Sequence, residues 1–299
     1  CEARYFIADY HALNACKDPV ELKNMTVEIA SAWLACGLNP EKTLFYRQSD
    51  VPETFELLTI LMAFTSKGLM NRAHAYKAIV QSNLETGKDP DDGVNMGLYT
   101  YPILMAADIL LFDTDFVPVG TDQFQHIEMA QDIAQSFNFV YKTQALKIPQ
   151  PIAQEETKTV VGLDGRKMSK SYNNTIPMFC SEKALKKLIM SIVTNSQTVE
   201  EPKDPEASNI FALYKNFASP EQIENMRTRY LQGGLGWGQA KQELFEVVNA
   251  ELTPIRERYN YWINNQDDIW NALKAGSEKA RILASEKITQ LRKIIGIGK

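Results

Sequence analysis

Short strand signals alternate with helical stretches over the first 180 residues of this 299-residue chain. Arg4–Asp9, Thr43–Arg47 and Phe116–Val119 predict strands, whereas Pro19–Cys36 and Thr121–Phe137 carry apolar residues at helical spacing. Parallel strands need a long crossover between them, usually a helix. The alternation therefore predicts an α/β domain of residues 1–180, built on a doubly wound parallel sheet with helices on both faces.

The strand signal disappears after Ser181, and the remaining segments show helical periodicity. The interruptions are rich in proline or glycine, as in Pro202–Pro205 and Gly233–Gly236. This pattern predicts an all-α second domain of residues 181–299. From Lys274 to Lys299 there are seven Lys/Arg residues against two Glu. That basic stretch is typical either of a solvated helix face or of a nucleic-acid contact surface, and the pattern leaves both open.

Composition indicates a soluble globular chain, with 44% hydrophobic and 23% charged residues and a net charge of −5. No apolar run approaches the ~20 residues that would cross a bilayer, so no membrane contact is expected. The four cysteines show no C-x-x-C spacing. We therefore expect no structural metal, no disulfide framework and a cytoplasmic location. A polyanionic partner would have to meet a local basic patch.

A basic pentapeptide, Lys167–Ser171 (KMSKS), follows the glycine-containing turn Leu163–Arg166. Lysine is a compact point charge that suits phosphate oxygens, and a loop allows such charges to close on a triphosphate and to open again. An arbitrary pair of lysines on a loop is more often merely exposed. Residue type and spacing leave an exposed basic loop and a phosphate-binding loop both open for Lys167, Met168, Ser169, Lys170 and Ser171.

The segment Gly120–Gln123 (GTDQ) stands at the carboxyl end of a predicted strand, where ligands bind in open α/β sheets. Gly120 allows close approach of a nucleotide, and Asp122 can accept hydrogen bonds from ribose hydroxyls. Taken alone, the segment would equally suit a helix N-cap with an acid in the first turn. His126, four residues after Asp122, is expected to pack rather than to catalyse.

A single carboxylate, Asp108, interrupts an apolar helix that Pro102 is predicted to start and that runs to Phe112. Helical spacing places Tyr101, Met105 and Asp108 on one face. A buried carboxylate requires a donor, which is either a partner within the core or a ligand. An apolar wall with one acceptor at its end matches an indole ring with its single N–H.

These segments resemble those of the class I aminoacyl-tRNA synthetases. KMSKS is the signature of that class, and GTDQFQH resembles the G-x-D-Q-x-x-H segment of tryptophanyl and tyrosyl enzymes. TYPILMAADIL resembles the tryptophanyl-enzyme segment whose aspartate reads the indole N–H. The resemblance implies a Rossmann-type catalytic domain with a dimer-forming insertion at about residues 52–112. It also implies that residues 181–299 bind the tRNA anticodon end.

The resemblance further implies ligation of L-tryptophan to tRNA(Trp) through an adenylate, with ATP and Mg²⁺ as the substrate complex, in a homodimer. Catalysis is assigned by resemblance to Lys167, Lys170 and Ser169. The ATP site extends to Gly120, Thr121, Asp122, Val160, Met168, Ser171 and Lys77. The tryptophan site comprises Asp108, Tyr101, Met105, Gln123, Val117, Val119 and His11, the last from Asp9-Tyr-His-Ala12, which is similar to the D-x-H-A of the family.

The other signature of the family, a Pro-x-Gly segment followed by a His-Ile-Gly-His-like turn, is absent from the chain and would precede Cys1. We therefore expect about 30 residues before Cys1. Three alternatives remain at this point: a tyrosyl-tRNA synthetase, a truncated inactive paralogue that binds RNA or regulates, and a generic adenylyltransferase. The tyrosyl alternative would need donors and acceptors for a phenol hydroxyl, which the apolar face beside Asp108 does not favour.

Overall fold

The computed structural model describes residues 2–153 and 160–298. The strands are β1 (Arg4–Ile7), β2 (Leu44–Arg47), β3 (Phe116–Val119) and β4 (Gln150–Ala153). The helices are α1 (Asp9–Ala12), α2 (Pro19–Ala35), α3 (Glu53–Met62), α4 (Lys67–Met70), α5 (His74–Glu85), α6 (Met96–Leu110), α7 (Phe124–Tyr141), α8 (Glu182–Met190), α9 (Asn209–Tyr214), α10 (Pro220–Gln232), α11 (Trp237–Asn264) and α12 (Gln266–Ile295).

The strands pair in parallel, as the sequence predicts. β1 lies beside β2 with Arg4 opposite Leu44, and β3 lies beside β4 with Phe116 opposite Gln150. Instead of one continuous sheet, the described strands form two separate pairs. The carboxyl ends of β1 and β2 therefore meet at one edge, and the residues that follow them are neighbours in space.

Two compact units make up the chain, and they do not divide at residue 180/181 as expected. One contains Cys1–Ala30, Leu38–Glu155 and Asn265–Lys299, and the other contains Ser31–Gly37 and Glu156–Asn264. The difference lies mainly in α12, which packs against β2 and α3 and so belongs to the first unit. Helical periodicity alone cannot show which unit a helix packs into, because it indicates only that one face of the helix is apolar.

Each unit has its own apolar core. In the first unit, Ala280, Ala284, Ile288 and Leu291 follow one another at helical spacing on α12 and join the core of the first unit. In the second unit, α8 to α11 contribute most of the apolar core, and its fully buried side chains include Leu185, Ile189, Phe211, Tyr230 and Leu244. Burial of each large apolar side chain contributes about 1.5–3 kcal/mol to the stability of the fold. The apolar faces therefore determine which elements each helix packs against. No described helix is both long and apolar enough to cross a membrane.

The helix that contains Asp108 begins earlier than predicted. α6 starts at Met96, where the side chain of Asn95 caps it by accepting a hydrogen bond from the Leu98 amide. Pro102 therefore lies inside the helix and not at its first position. Sequence reasoning gave weight to the proline and overlooked the asparagine, although both are helix-start signals.

The basic stretch of α12 is partly internal. The Lys287 side chain is only 5% exposed, forms an ion pair with Asp113 and donates to the carbonyl oxygen of Ala145. Arg292 makes a bidentate contact with Glu56, at 2.6 and 2.5 Å. Lys287 therefore belongs neither to a solvated helix face nor to a nucleic-acid contact surface, since its ammonium group is buried and paired.

Gly276 sets the closest approach between α12 and β2. A Cβ atom on this glycine would lie 1.7 Å from the carbonyl oxygen of Phe45, a backbone atom that cannot move aside cheaply. We predict that Gly276→Ala lowers the free energy of unfolding by about 1–3 kcal/mol or more, because the overpacking exceeds the ~1 kcal/mol that alanine gains in helix propensity. Urea denaturation measures this.

Gly238 in α11 provides the matched control, since a Cβ there would meet nothing within 4 Å. Gly238→Ala is expected to leave stability unchanged or to raise it by up to about 1 kcal/mol. Equal effects of the two substitutions would contradict the proposed close approach.

Candidate active site

Asp108 is buried on α6 and accepts hydrogen bonds from two side chains of the protein. Gln48 Nε2 lies 2.9 Å from both carboxylate oxygens, and His11 Nε2 lies 2.9 Å from Oδ2. Burial raises the pKa of Asp108, and the hydrogen bonds and charge of His11 and the hydrogen bond from Gln48 act in the opposite direction. The carboxylate thus has donors within the core, one of which sequence reasoning missed.

The parallel pairing of β1 and β2 brings these donors together. His11 lies in α1, which starts two residues after β1 ends, and Gln48 opens the short 3-10 turn Gln48–Asp50 directly after β2. Both therefore stand at the carboxyl edge of the strand pair, the usual position of ligands in open α/β sheets. Sequence reasoning did not assign Gln48 to the site, because its contact with Asp108 arises only from its position after β2 in the folded chain.

A second carboxylate, Asp9, joins the two turns. Its oxygens accept hydrogen bonds from the Ser49 amide at 3.0 Å and the Ser49 hydroxyl at 2.5 Å. The Tyr10 amide donates to Oε1 of Gln48, at 3.2 Å. With its amide oxygen occupied in this way, Gln48 must present its NH₂ group to Asp108. The orientation of the buried donor is therefore set by backbone contacts.

Four further side chains form an unbranched hydrogen-bonded chain at the start of α7. The Tyr101 hydroxyl lies 2.7 Å from His126 Nε2, and His126 Nδ1 lies 2.9 Å from Gln123 Oε1. Gln123 Nε2 in turn donates to Asp122 Oδ2, at 2.9 Å. His126 is buried as expected, and burial lowers its pKa. It also has a polar partner on each ring nitrogen, which a packing role alone does not require.

The two clusters adjoin each other. The rings of His11 and Tyr101 meet edge to face, with centroids 6.5 Å apart. The expected apolar wall lies in the same unit, since half-buried Met105, Val117 and Val119 all pack against the core of the first unit. The structure thus brings His11, Asp108, Tyr101 and Gln123 together through Gln48, His126 and the His11–Tyr101 ring contact.

Gly120 permits the fold of the GTDQ segment. A Cβ on this residue would lie 2.6 Å from Asp122 Oδ1, so a larger residue here would require the Asp122 side chain to rotate away. Thr121, Asp122 and Gln123 form a 3-10 turn that leads from β3 into α7, as the sequence indicates. Lys77 is exposed on α5 and forms no ion pair with a residue that the structure describes.

The KMSKS segment belongs to the second unit, where an antiparallel bridge pairs Val161 with Lys167. The Val160 carbonyl accepts a hydrogen bond from the Met168 amide at 2.8 Å, and the hydroxyls of Ser169 and Ser171 lie 2.8 Å apart. Lys167 and Lys170 are exposed and form no ion pair within residues 2–153 and 160–298. Their charges are therefore available to an anionic ligand.

Asn174 organises this loop. Its buried amide donates to the Asp164 carboxylate at 2.7 Å and to the Lys167 carbonyl at 3.1 Å, and it accepts from the Ser169 amide at 2.8 Å. The hydrogen bond from Asn174, with Arg166 nearby, holds the pKa of Asp164 at about 2. The loop is thus shaped internally while its lysines remain exposed. Among the described residues, no group of three or more His, Cys, Asp or Glu could hold a metal ion.

Comparison with known proteins agrees with this geometry. The family described as tRNA synthetases class I (W and Y) matches residues 1–253. The tryptophan–tRNA ligase of Pseudomonas aeruginosa is 52% identical over 98% of the chain, which spans 66% of that relative, slightly under two thirds of its length. The tryptophan–tRNA ligase of Neisseria meningitidis serogroup A is 50% identical over 99% of the chain and 88% of the relative.

A solved structure supports the fold. The tryptophanyl-tRNA synthetase of Campylobacter jejuni, complexed with ADP and tryptophan, superimposes with a TM-score of 0.88 at 44% identity, over 98% of this chain and 89% of that one. The predicted fold class, a Rossmann-type α/β domain followed by a helical region, is confirmed by this likeness. The chain belongs to the class I tRNA synthetases (W and Y), among the tryptophanyl-tRNA synthetases.

Proposed function

We propose that this chain joins L-tryptophan to ATP, which enters as its Mg²⁺ complex, and transfers the activated amino acid to tRNA(Trp). The observation that carries the proposal is the buried carboxylate of Asp108, which lies on the same helix as the half-buried Tyr101 and Met105. The names of the relatives support the same reaction, and they speak against the tyrosyl and inactive-paralogue alternatives.

Asp108 suits an indole ring because its carboxylate can accept one more hydrogen bond. A carboxylate offers about four lone-pair positions, and Gln48 and His11 occupy three contacts. One acceptor position therefore remains for a single N–H donor. Met105, Val117 and Val119 of the same unit are apolar and half-buried, and in the proposal they receive the ring that carries this donor. A phenol hydroxyl would need an additional donor that these side chains do not supply.

The nucleotide side of the reaction rests on charge and position. In the proposal, Asp122 accepts hydrogen bonds from the ribose, Val160 meets adenine through its backbone, and Lys167, Lys170 and Lys77 meet the phosphates. Ser169, Met168 and Ser171 shape the loop between the lysines. The tryptophan carboxylate attacks the α-phosphorus and pyrophosphate leaves. A hydroxyl of the terminal ribose of tRNA then attacks the acyl carbon of the adenylate, and AMP leaves. No covalent enzyme intermediate is required, because positioning and charge neutralisation suffice.

Three further parts of the proposal come from the resemblance: a homodimer formed through about residues 52–112, a cytoplasmic location, and contact between the helical region and the tRNA anticodon. Of the helices after residue 181, α8 to α11 form the core of the second unit. Since α12 is packed into the first unit and Lys287 is buried there, we assign the anticodon contact to α8 to α11.

The role of Asp108 is tested with an amino acid that matches tryptophan in shape but carries sulfur in place of the indole N–H, β-(3-benzothienyl)alanine. The unmodified chain is expected to bind tryptophan about 10- to 100-fold more tightly than this analogue, because a hydrogen bond to a charged acceptor contributes about 1.5–3 kcal/mol. In Asp108→Asn that preference is expected to fall by about tenfold, because the amide oxygen that remains is an uncharged acceptor and contributes only about 0.5–1.5 kcal/mol. Calorimetric titration of both ligands measures it.

Asp132→Asn, which removes an exposed carboxylate from α7, is the matched control and should keep the preference. If Asp108 is only a structural acid, Asp108→Asn weakens both ligands equally. That outcome would falsify the assignment even if the variant is less stable, because the ratio is measured on the folded fraction.

The role of the loop lysines is tested by Lys167→Met and Lys170→Met. Each is expected to slow tryptophan-dependent ATP–pyrophosphate exchange on the order of 100-fold, since each removes a charge that stabilises the transition state. Tryptophan affinity should stay close to that of the unmodified chain, because neither lysine belongs to the indole pocket. Lys183→Met, an exposed lysine on α8, is the control. Equal losses in rate and tryptophan affinity would indicate a folding or pocket defect instead.

A further inference from the structure

The KMSKS loop has little regular structure to fix its shape. One antiparallel bridge, between Val161 and Lys167, closes its start, and a single 3-10 turn, Lys170–Tyr172, covers its end. An exposed backbone without further contacts would sample many conformations and would place its lysines in many positions. The middle of the loop therefore needs side-chain contacts if its charges are to lie in one place.

The Asn174 side chain supplies these contacts. Its amide oxygen accepts a hydrogen bond from the Ser169 amide at 2.8 Å, and its NH₂ group donates to the Lys167 carbonyl at 3.1 Å and to Asp164 Oδ1 at 2.7 Å. A reversed amide would set donor against donor and acceptor against acceptor, so its orientation is fixed. Asn174 is only 2% exposed. One buried side chain thus holds the backbone on both sides of Met168.

Gly162 encloses this amide from the other side. A Cβ there would lie 2.2 Å from Asn174 Nδ2 and 2.4 Å from its Cγ, so any larger residue would displace the whole amide group. The position of Gly162 is itself fixed, because its N–H donates to the Arg166 carbonyl at 2.7 Å. The carbonyl of Asn174 accepts from the Leu163 amide at 3.0 Å. The amide and the glycine therefore keep a fixed separation.

Asp164 fixes the charges around the amide. The hydrogen bond from Asn174 and the contacts with Arg166 hold its pKa at about 2, so it stays an acceptor at neutral pH. The Arg166 guanidinium lies 2.6 Å from Oδ2 and is thereby paired within the loop. Lys167 and Lys170, in contrast, form no ion pair within the described ranges. The loop thus neutralises one cation and leaves two for a ligand.

We propose that Asn174 is a positioning residue for amino-acid activation: it holds the backbone at Lys167 and Ser169 in one conformation, so that the lysine charges meet the triphosphate already ordered. The inference rests on the proposed function, since it takes ATP to be the ligand of the loop. A loop that is ordered in advance loses less conformational entropy when it binds, and its charges need no rearrangement as the transition state forms. Asn174 contributes to the rate through other residues and has no contact of its own with ATP.

The test measures tryptophan-dependent ATP–pyrophosphate exchange by the full chain, together with tryptophan affinity by calorimetry. Asn174→Ala removes all three side-chain contacts. It is expected to lower kcat by about 10- to 100-fold, since a small misplacement of groups that act in the transition state costs up to that much. Tryptophan affinity should stay close to that of the unmodified chain. Asn195→Ala, which removes an exposed side chain that accepts from the Gln197 amide in the same unit, is the control and should change neither.

Gly162→Ala tests the same contacts without removing any polar atom. The added Cβ displaces the Asn174 amide, so kcat is expected to fall as it does in Asn174→Ala. Gly238→Ala is the matched control for this substitution, because a Cβ at Gly238 meets nothing within 4 Å, and it should leave kcat unchanged.

Two comparisons separate positioning from a general loss of stability. If Asn174 acts through Lys167, Asn174→Ala should slow exchange less in a chain that already carries Lys167→Met than in the unmodified chain. A smaller folded fraction would instead lower the rate by the same factor in both. Asn174→Asp turns an oxygen toward Asp164 and should slow exchange, and the additional Asp164→Asn, whose amide can donate to the new carboxylate, should restore part of the rate.

The outcomes are distinguishable. If the unmodified chain catalyses no tryptophan-dependent exchange, the proposed function fails, and this inference fails with it. If Lys167→Met slows exchange but Asn174→Ala and Gly162→Ala do not, only this inference is overturned. Equal factors for Asn174→Ala with and without Lys167→Met likewise overturn it. Should Asn174→Ala not fold, Asn174→Asp decides: a slowed rate that Asp164→Asn does not restore contradicts the positioning role.

Discussion

The pairing of Asp108 with Gln48 and His11 is the contact on which the first unit depends. An ionised carboxylate loses several kcal/mol of hydration when it leaves water, and it recovers this only with well-placed donors. Both donors follow paired strands, so β1 and β2 must be aligned before Asp108 can be buried on α6. The strand pairing, the burial of α6 and the proposed ligand site thus all depend on the hydrogen bonds from Gln48 and His11 to Asp108. The same carboxylate that joins these elements keeps an acceptor position that a ligand donor can use.

Helix α12 also stabilises β2 and the turn that follows it. Gly276 allows the helix backbone to reach the carbonyl of Phe45 on β2, and Ser277 donates to Asp50 in the turn that also contains Gln48. Further along, Lys287 joins α12 to Asp113 and to the Ala145 carbonyl. The end of the chain therefore supports the turn that presents the buried donor. Residues remote in sequence contribute to the geometry of the site without belonging to it.

Sequence patterns predicted the parts of the molecule that local chemistry specifies, such as β3 and the KMSKS turn. They missed β4, where Pro151 lowers strand propensity, and they missed α5 entirely. They also assigned α12 to the wrong unit. Amphipathic spacing shows that one face of a helix is buried, but it does not identify the elements that this face packs against. Gln48 and His126 were undervalued for a related reason. Their partners lie 60 and 25 residues away, and only the folded chain shows that each polar atom has a specific contact.

The central claim is that the carboxylate of Asp108 meets the indole N–H of tryptophan, and its titration tests this most directly. Carbon-13 NMR of the Asp108 carboxyl, assigned by its loss in Asp108→Asn, can be followed against pH in complexes with tryptophan and with the benzothienyl analogue. The two ligands exclude water alike, so a difference between the complexes isolates the N–H contact. A donor stabilises the charged carboxylate, so the account predicts a lower pKa of Asp108 in the tryptophan complex. The same pKa in both complexes would contradict it.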